Sequence, residues 1–440
     1  GKQDALSKPV VVKNGRIPMR RKRSCGSDEH AMARRQFLGG VAGGVAGGLG
    51  VMAGLPAAKQ LEKTQQRVVC IYMSGGLSQL ESWDPKPKTN TGGPFRAIPT
   101  SVPGIHLSEL LPLTAKHMDK LAVVRGINTK NGDHGKGSYH MQHGRQRMPG
   151  VSLPTLGAVC AKALQDPSNP MPGHIRIGGG GRGNDAAYLG PRYASIGANG
   201  KPPANSERPK ELSEAADELR NRLRRKANDR FAKRRRTAET DAYTFSYERA
   251  LQLMERRDVF DVSKEPAKMQ ELYGGESFGQ RCLTARRLLE NGATFVKLDH
   301  SNYDTHNENF NFHLEQVPEF DKGFAALVGD LDDRGMLDST LIVVMSEFGR
   351  TPNINKYYGR DHWGTAWSIC LGGGKIARGA VVGKTNANGT KVIDREVSYP
   401  HLFHTYLAGL GLDSKEPFDI GGRPVPMADP AFGPIDELIT

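Results

Sequence analysis

Cysteine is thinly spread through this 440-residue chain: five residues, Cys25, Cys70, Cys160, Cys282 and Cys370, with no CxxC pair. That scatter excludes a small disulfide scaffold and a thiolate zinc module. Cys70 and Cys370 fall in apolar, strand-like runs, where a small buried thiol is the expected role. Aromatic residues are also sparse, at 7%, and they do not interleave with the basic runs, so base stacking has no platform. Most of the chain carries little net charge. The formal +14 is concentrated as +7 over residues 2–35 and +6 over residues 207–236, leaving the remainder nearly neutral. A helix containing Arg220, Arg222, Arg224, Arg225 and Lys226 can track phosphates. Without aromatics, such a run reads more simply as a solvated face or a contact with an acidic surface. Nucleic acid is therefore not an expected partner.

A strongly apolar membrane span is missing as well. The one long uncharged stretch, residues 39–58, follows Arg34-Arg35-Gln36-Phe37-Leu38 and is rich in Gly, Ala and Val. Its glycines hold helix propensity and hydropathy below those of a stable span. A charged segment, a weakly apolar one and small residues at its end stand in the order of a twin-arginine export signal. The expectation is a leader over residues 1–58 and a single working domain over 59–440. The twin-arginine export machinery would carry that domain to the periplasm or the exterior, with membrane contact only through an uncleaved leader.

What the body does have is a repeated pattern of short apolar runs alternating with helical stretches. Runs at 67–73, 121–124, 174–177, 294–298, 340–345 and 368–371 are rich in β-branched residues and bounded by turn formers. Helical periodicity lies between them at 137–147, 156–164, 211–235, 244–257, 278–291 and 312–334. Continuous apolar strands between amphipathic helices predict an α/β fold, a three-layer αβα sandwich with a mostly parallel sheet. Residues 179–268 interrupt the rhythm and read as an inserted loop with charged helices. In such folds ligands bind beyond the carboxyl ends of the strands.

Polar residues gather at those ends. Asp299, His300, Asp304, His306 and Glu308 follow one run; Glu347, Arg350, Asp361 and His362 follow another. Carboxylates and imidazoles from separate loops suit a divalent cation such as Zn, Mn or Ca. Asp304, His306, Glu347, Asp361 and His362 are the candidate ligands, while Asp304 and His306 could instead simply cap the next helix. After the second strand come His134, Lys136, His140 and His143. Of these His134 is best placed to face a ligand, as nucleophile or general base, and Lys136 or Arg350 is placed to stabilise an anionic transition state.

Taken together, Ser74-Gly-Gly-Leu-Ser-Gln-Leu-Glu-Ser-Trp-Asp-Pro-Lys86, Asp304-Thr-His306, Ser346-Glu-Phe-Gly-Arg-Thr-Pro352 and Gly359-Arg-Asp-His362 resemble the sulfatase-like family DUF1501, a domain of unknown function. The resemblance spans about residues 67–412. It implies an alkaline-phosphatase-like fold with a metal site for phosphate or sulfate esters. It also implies that Asp304, His306 and His362 hold one metal and that Glu347 takes the place of an Asp ligand of a second. Phe348 stands where the superfamily has a histidine, Ser74 where it has a carboxylate, and His134 near the usual nucleophile. The second-metal half is thus rebuilt or lost, leaving one metal or two. Two functions follow as expectations. One is an exported metal-dependent hydrolase acting on an anionic small-molecule or glycan-like ester; the other is a non-catalytic binding module on a degenerate version of the same fold.

Overall fold

The computed structural model describes residues 65–166, 169–178, 185–198, 208–233 and 238–440. The twin-arginine reading of Arg34-Arg35 lies outside the described residues, as does most of the glycine run beginning at Gly178.

Eight strands make one sheet: β1 (Arg67–Met73), β2 (Leu121–Ile127), β3 (His174–Ile177), β4 (Ile196–Ala198), β5 (Phe295–His300), β6 (Thr340–Met345), β7 (Trp367–Gly372) and β8 (Ala380–Val382). Their spatial order is β8-β2-β7-β6-β1-β5-β3-β4. β7 runs antiparallel to both its neighbours, β2 and β6. Every other pairing in the sheet is parallel. The principal helices are α1 (His134–His143), α2 (Leu156–Leu164), α3 (Glu214–Ala232), α4 (Ala238–Glu255), α5 (Ala267–Tyr273), α6 (Ser277–Glu290), α7 (Asn309–Asp333) and α8 (Tyr399–Gly409).

The central strand explains the layering. Every residue of β1 is buried, because successive side chains point to opposite faces and both faces are covered. Val69, Ile71 and Met73 enter one core with Phe278, Leu283, Phe320 and Phe324 of α6 and α7. Val68, Cys70 and Tyr72 enter the other with Leu156, Val159, Phe403 and Tyr406 of α2 and α8. Each fully buried aliphatic side chain contributes about 1.5–3 kcal/mol before entropy is counted, so two cores sharing one strand lock its register. The expected three-layer α/β architecture with a mostly parallel sheet is the one observed. Burial pushes the Cys70 thiol up to about 12, so it stays protonated and acts as a small apolar group.

Helix α1 carries part of the site, and local chemistry sets its limits. Asp133 caps it, its carboxylate accepting the Lys136 N–H at 2.8 Å, and Gly144 ends it at φ +64°. It therefore begins at His134, three residues earlier than its apolar pattern alone suggests. Farther along the chain, Arg225 of α3 pairs with Glu248 of α4 at 2.9 Å, and Arg224 binds the same carboxylate. Part of the basic run is thereby neutralised within the helical pair.

Candidate functional site

Three loops converge where β1, β5 and β6 end. The first is Ser74-Gly75-Gly76. Gly75 has φ +110°, and a Cβ there would lie 2.5 Å from the Asp304 backbone nitrogen. Only glycine permits that approach, and through it the end of β1 meets the loop after β5. Arg350 fastens the same junction. Its buried guanidinium donates Nε–H to the Gly76 carbonyl at 3.0 Å, one terminal amine to the Arg360 carbonyl at 3.0 Å and the other to Asp304 Oδ1 at 2.6 Å. A further bond reaches the Gly75 carbonyl. The guanidinium is thus committed to holding Asp304 and the loops in place.

A second anchor sits behind the site. Arg360 and Glu81 form an ion pair in which both side chains are fully buried, with the two guanidinium contacts at 3.0 and 2.8 Å. Asn309, the first residue of α7, donates to the same carboxylate at 3.0 Å. Burial pushes the Glu81 carboxyl up, but the Arg360 charge overcomes it and holds the group below its usual range. Glu81 lies within the motif quoted from the sequence, yet no local signal there marks it as the buried partner of an arginine 279 positions away.

Around Asp304 stand three imidazoles, each tied at Nδ1. His134 Nδ1 lies 2.8 Å from Glu347 Oε1, His306 Nδ1 lies 2.7 Å from Asp361 Oδ1, and His362 Nδ1 lies 2.7 Å from the Gly132 carbonyl. Carboxylates and carbonyls only accept, so each Nδ1 carries a proton, and in its neutral form each ring has its lone pair at Nε2. Those lone pairs point at one another and at Asp304. His306 Nε2 is 3.0 Å from His362 Nε2, both are 3.1 Å from Asp304 Oδ1, and His134 Nε2 is 3.2 Å from Asp304 Oδ2. With neutral rings these facing acceptors repel, and a cation at their centre removes the conflict. A tetrahedron of ligands about 2.0–2.1 Å from zinc has edges of roughly 3.3 Å, close to these separations. His134, Asp304 and His362 each offer a ligand atom within 4.8 Å of the other two. The donor set therefore fits a divalent cation.

Electrostatics agree with this geometry. Burial raises the Asp304 carboxyl, but the Arg350 guanidinium, with His362 beside it, outweighs it and holds it well below the usual carboxylate range. The hydrogen bond to Glu347 raises His134, against a smaller opposing effect of burial. Phe348, fully buried, packs with its ring centroid 4.8 Å from that of His134 and 4.3 Å from that of His362. A phenyl ring cannot bind a metal, and here it forms a dry wall behind two imidazoles.

Of the residues singled out from the sequence, His134, Asp304, His306, Glu347, Arg350, Asp361 and His362 lie in one bonded cluster. Glu347 and Asp361 stand behind imidazoles, and Arg350 is occupied by backbone and Asp304. Lys136 is not in the cluster. Two residues along a helix from His134 it points to a different side, and its side chain is exposed. The Gly132 carbonyl, which orients His362, could not be read from sequence because backbone acceptors leave no residue-type signal.

Fold and site together define a mixed α/β protein with a histidine–aspartate cluster at the carboxyl edge of a mostly parallel sheet. The chain belongs to the family described as "Protein of unknown function (DUF1501)", whose model matches residues 65–439. Solved structures similar to it include a sulfatase from Pseudoalteromonas sp., 14% identical with a TM-score of 0.37, covering 80% of this chain and 70% of that one. Another is a phosphonate monoester hydrolase from Silicibacter pomeroyi, 13% identical with a TM-score of 0.36, covering 79% and 73%. A third is a protein in the alkaline phosphatase superfamily from Vibrio parahaemolyticus, 12% identical with a TM-score of 0.31, covering 80% and 68%. Likeness of this degree assigns no activity. No curated protein matches the chain. Among the described residues no helix is long and apolar enough to cross a membrane.

Proposed function

We propose that this protein is an exported, metal-dependent hydrolase of phosphate or sulfate esters. One observation carries the reading: three imidazoles, each with its Nδ1 committed to a fixed acceptor, turn their Nε2 atoms onto the Asp304 carboxylate. In this reading His134, Asp304, His306 and His362 hold one divalent cation, and the imidazole majority favours Zn or Mn over Ca. Such a cation supplies Lewis-acid polarisation of an ester oxygen. The chain's own groups supply the rest. Glu347 and Asp361 fix ring orientation from behind and raise the basicity of the nitrogens they hold. Arg350 is a positioning residue for Asp304. Phe348 keeps water from the rear of the cluster. Asp304, His306 and Asp361 remain about half exposed, at 48%, 47% and 56%, which leaves the front open to an anionic small molecule or a glycan-like ester. Export is supported by the order of charged, weakly apolar and small residues over 34–58.

Purified full chain is expected to carry a divalent metal by elemental analysis and to lose it in His306→Ala and His362→Ala. Aryl phosphate mono- and diesters and aryl sulfates, assayed with Zn, Mn and Ca, are expected to turn over, with activity abolished by chelator and restored by metal. Absence of bound metal, or hydrolysis indifferent to both substitutions, overturns the reading. One observation favours the second reading, a metal-holding binding module. Among the described residues no hydroxyl or thiol side chain hydrogen-bonds to Asp304, His134, His306 or His362, so the cluster has no ready nucleophile of the common kinds. Metal retention with no turnover of any ester would select that reading.

A further inference from the structure

The helical layer formed by α1, α2 and α8 leaves a gap toward the carboxyl ends of β1, β3 and β5. The gap is a cleft of about 620 Å³, floored by Tyr72, Arg176 and Lys297 and walled by α1 and the connection from α1 to α2. In the parallel register Arg176 stands directly beside Lys297, and like charges on neighbouring strands repel unless answered. Lys297 is answered by Asp299 at 3.1 Å and by the Tyr72 ring, whose centroid is 4.5 Å away.

Arg176 has no such answer. Its Nε is buried without a hydrogen-bond partner, and among the described residues it makes no ion pair. Arg147 leans over the rim, its guanidinium carbon 4.9 Å from the centre of the Tyr139 ring, also without an ion-pair partner among the described residues. Asp185 is the single carboxylate lining the cleft, and its Oδ1 already accepts the Ser195 N–H at 3.0 Å. A buried donor left unpaired costs about 1–3 kcal/mol, and the guanidinium fork matches the oxygens of a phosphate or carboxylate. At the lip Met148 and Val151 are 43% and 48% exposed and bridge to each other as a short antiparallel pair.

We propose that this cleft is an oxyanion-binding site separate from the Asp304 cluster. It holds the tetrahedral oxyanion of an organic anion between Arg147 and Arg176, while the organic part rests on Met148 and Val151. Helix α1 divides the two sites: His134 at its start serves the cluster, whereas Ser138, Gln142 and His143 line the cleft. The proposal does not depend on metal binding or on hydrolysis.

The test is calorimetric titration of the full chain, with and without chelator, using phenylphosphonate and inorganic phosphate as probes. Phenylphosphonate is expected to bind in both conditions. Arg147→Ala and Arg176→Gln are each expected to weaken it by roughly tenfold, as loss of a charge-assisted contact implies. His362→Ala is expected to leave the affinity unchanged. Inorganic phosphate should bind more weakly, since it gains nothing from the apolar lip. Affinity insensitive to Arg147→Ala, an exposed side chain whose loss leaves the fold intact, overturns the proposal. So does loss of binding in His362→Ala, which would assign the probe to the metal cluster. Equal affinity for the two probes overturns the organic-anion assignment, and no binding of either at millimolar concentration overturns the site itself.

Discussion

Glu347 does more than its place behind an imidazole suggests. It follows β6 with its carboxylate almost fully buried, 4% exposed, and accepts from His134 at 2.8 Å and from the Gly75 N–H at 2.8 Å. One carboxylate therefore orients a ring, pins the glycine loop and places negative charge beside a candidate ligand. Glu347→Gln keeps the volume and one acceptor oxygen but removes the charge. The imidazole becomes less basic and its tautomer less strictly fixed, so metal affinity is expected to fall roughly 10–100-fold. Competition against a chromophoric chelator measures this directly, and the urea midpoint of the metal-free protein should barely move. A variant that bound metal as tightly as the parent would show that Glu347 is structural only. The residue types of this cluster were legible in the sequence, because carboxylates and histidines just after apolar runs stand out. Their ranks were not. Which group faces the centre and which stands behind depends on side-chain direction, and Glu347 and His134 are separated by 213 positions.

Among the elements, the strands were the most legible. Long apolar runs such as Arg67–Met73 and Thr340–Met345 declare themselves because both faces are buried, with no polar residue to break the pattern. β4 and β8 escaped notice because three residues of Ile-Gly-Ala or Ala-Val-Val carry too little pattern to separate a strand from a loop. Helix α8 was also missed; it starts after Ser398 with Pro400 in its first turn, a cap signal without a conspicuous charged face. Loop conformation was legible only as glycine content. Structure adds the reason for Gly75, which sits at φ +110° with its backbone against Tyr303 and Asp304. Gly75→Ala would place a Cβ 2.5 Å from the Asp304 nitrogen, so both the dihedral and the contact are unfavourable. Expected destabilisation is roughly 2–4 kcal/mol, above the usual range for a loop substitution. Urea unfolding of the metal-free chain reads it; a loss under about 0.5 kcal/mol, typical of an indifferent surface site, would mean that the loop relocates freely.

Across the whole molecule, charge and burial set a pH response that is distinct from the site. His143, at the end of α1, and His174, in β3, are both driven down to about 4, chiefly by burial. His174 lies under α2, where a Cβ on Gly157 would come within 2.2 Å of its ring. Asp185, 4.0 Å away, favours the charged form but does not offset the desolvation. In the unfolded chain both rings titrate near 6.5. Between that value and 4, unfolded protein binds protons that native protein refuses, so unfolding stability must fall as pH falls. At pH 5 each ring accounts for a loss of about 2 kcal/mol relative to neutral pH. His134 works in the opposite sense, since its folded value is raised by Glu347 and its stabilisation is present at low pH and lost as pH rises. The two effects separate by substitution. His143→Gln removes one proton site without touching the cluster, and it should flatten the decline in urea-unfolding stability between pH 7 and pH 5 by about 2 kcal/mol. If the parent and His143→Gln declined in parallel, the ring would take up its proton over the same pH range in the native as in the unfolded state, and burial would not govern its charge.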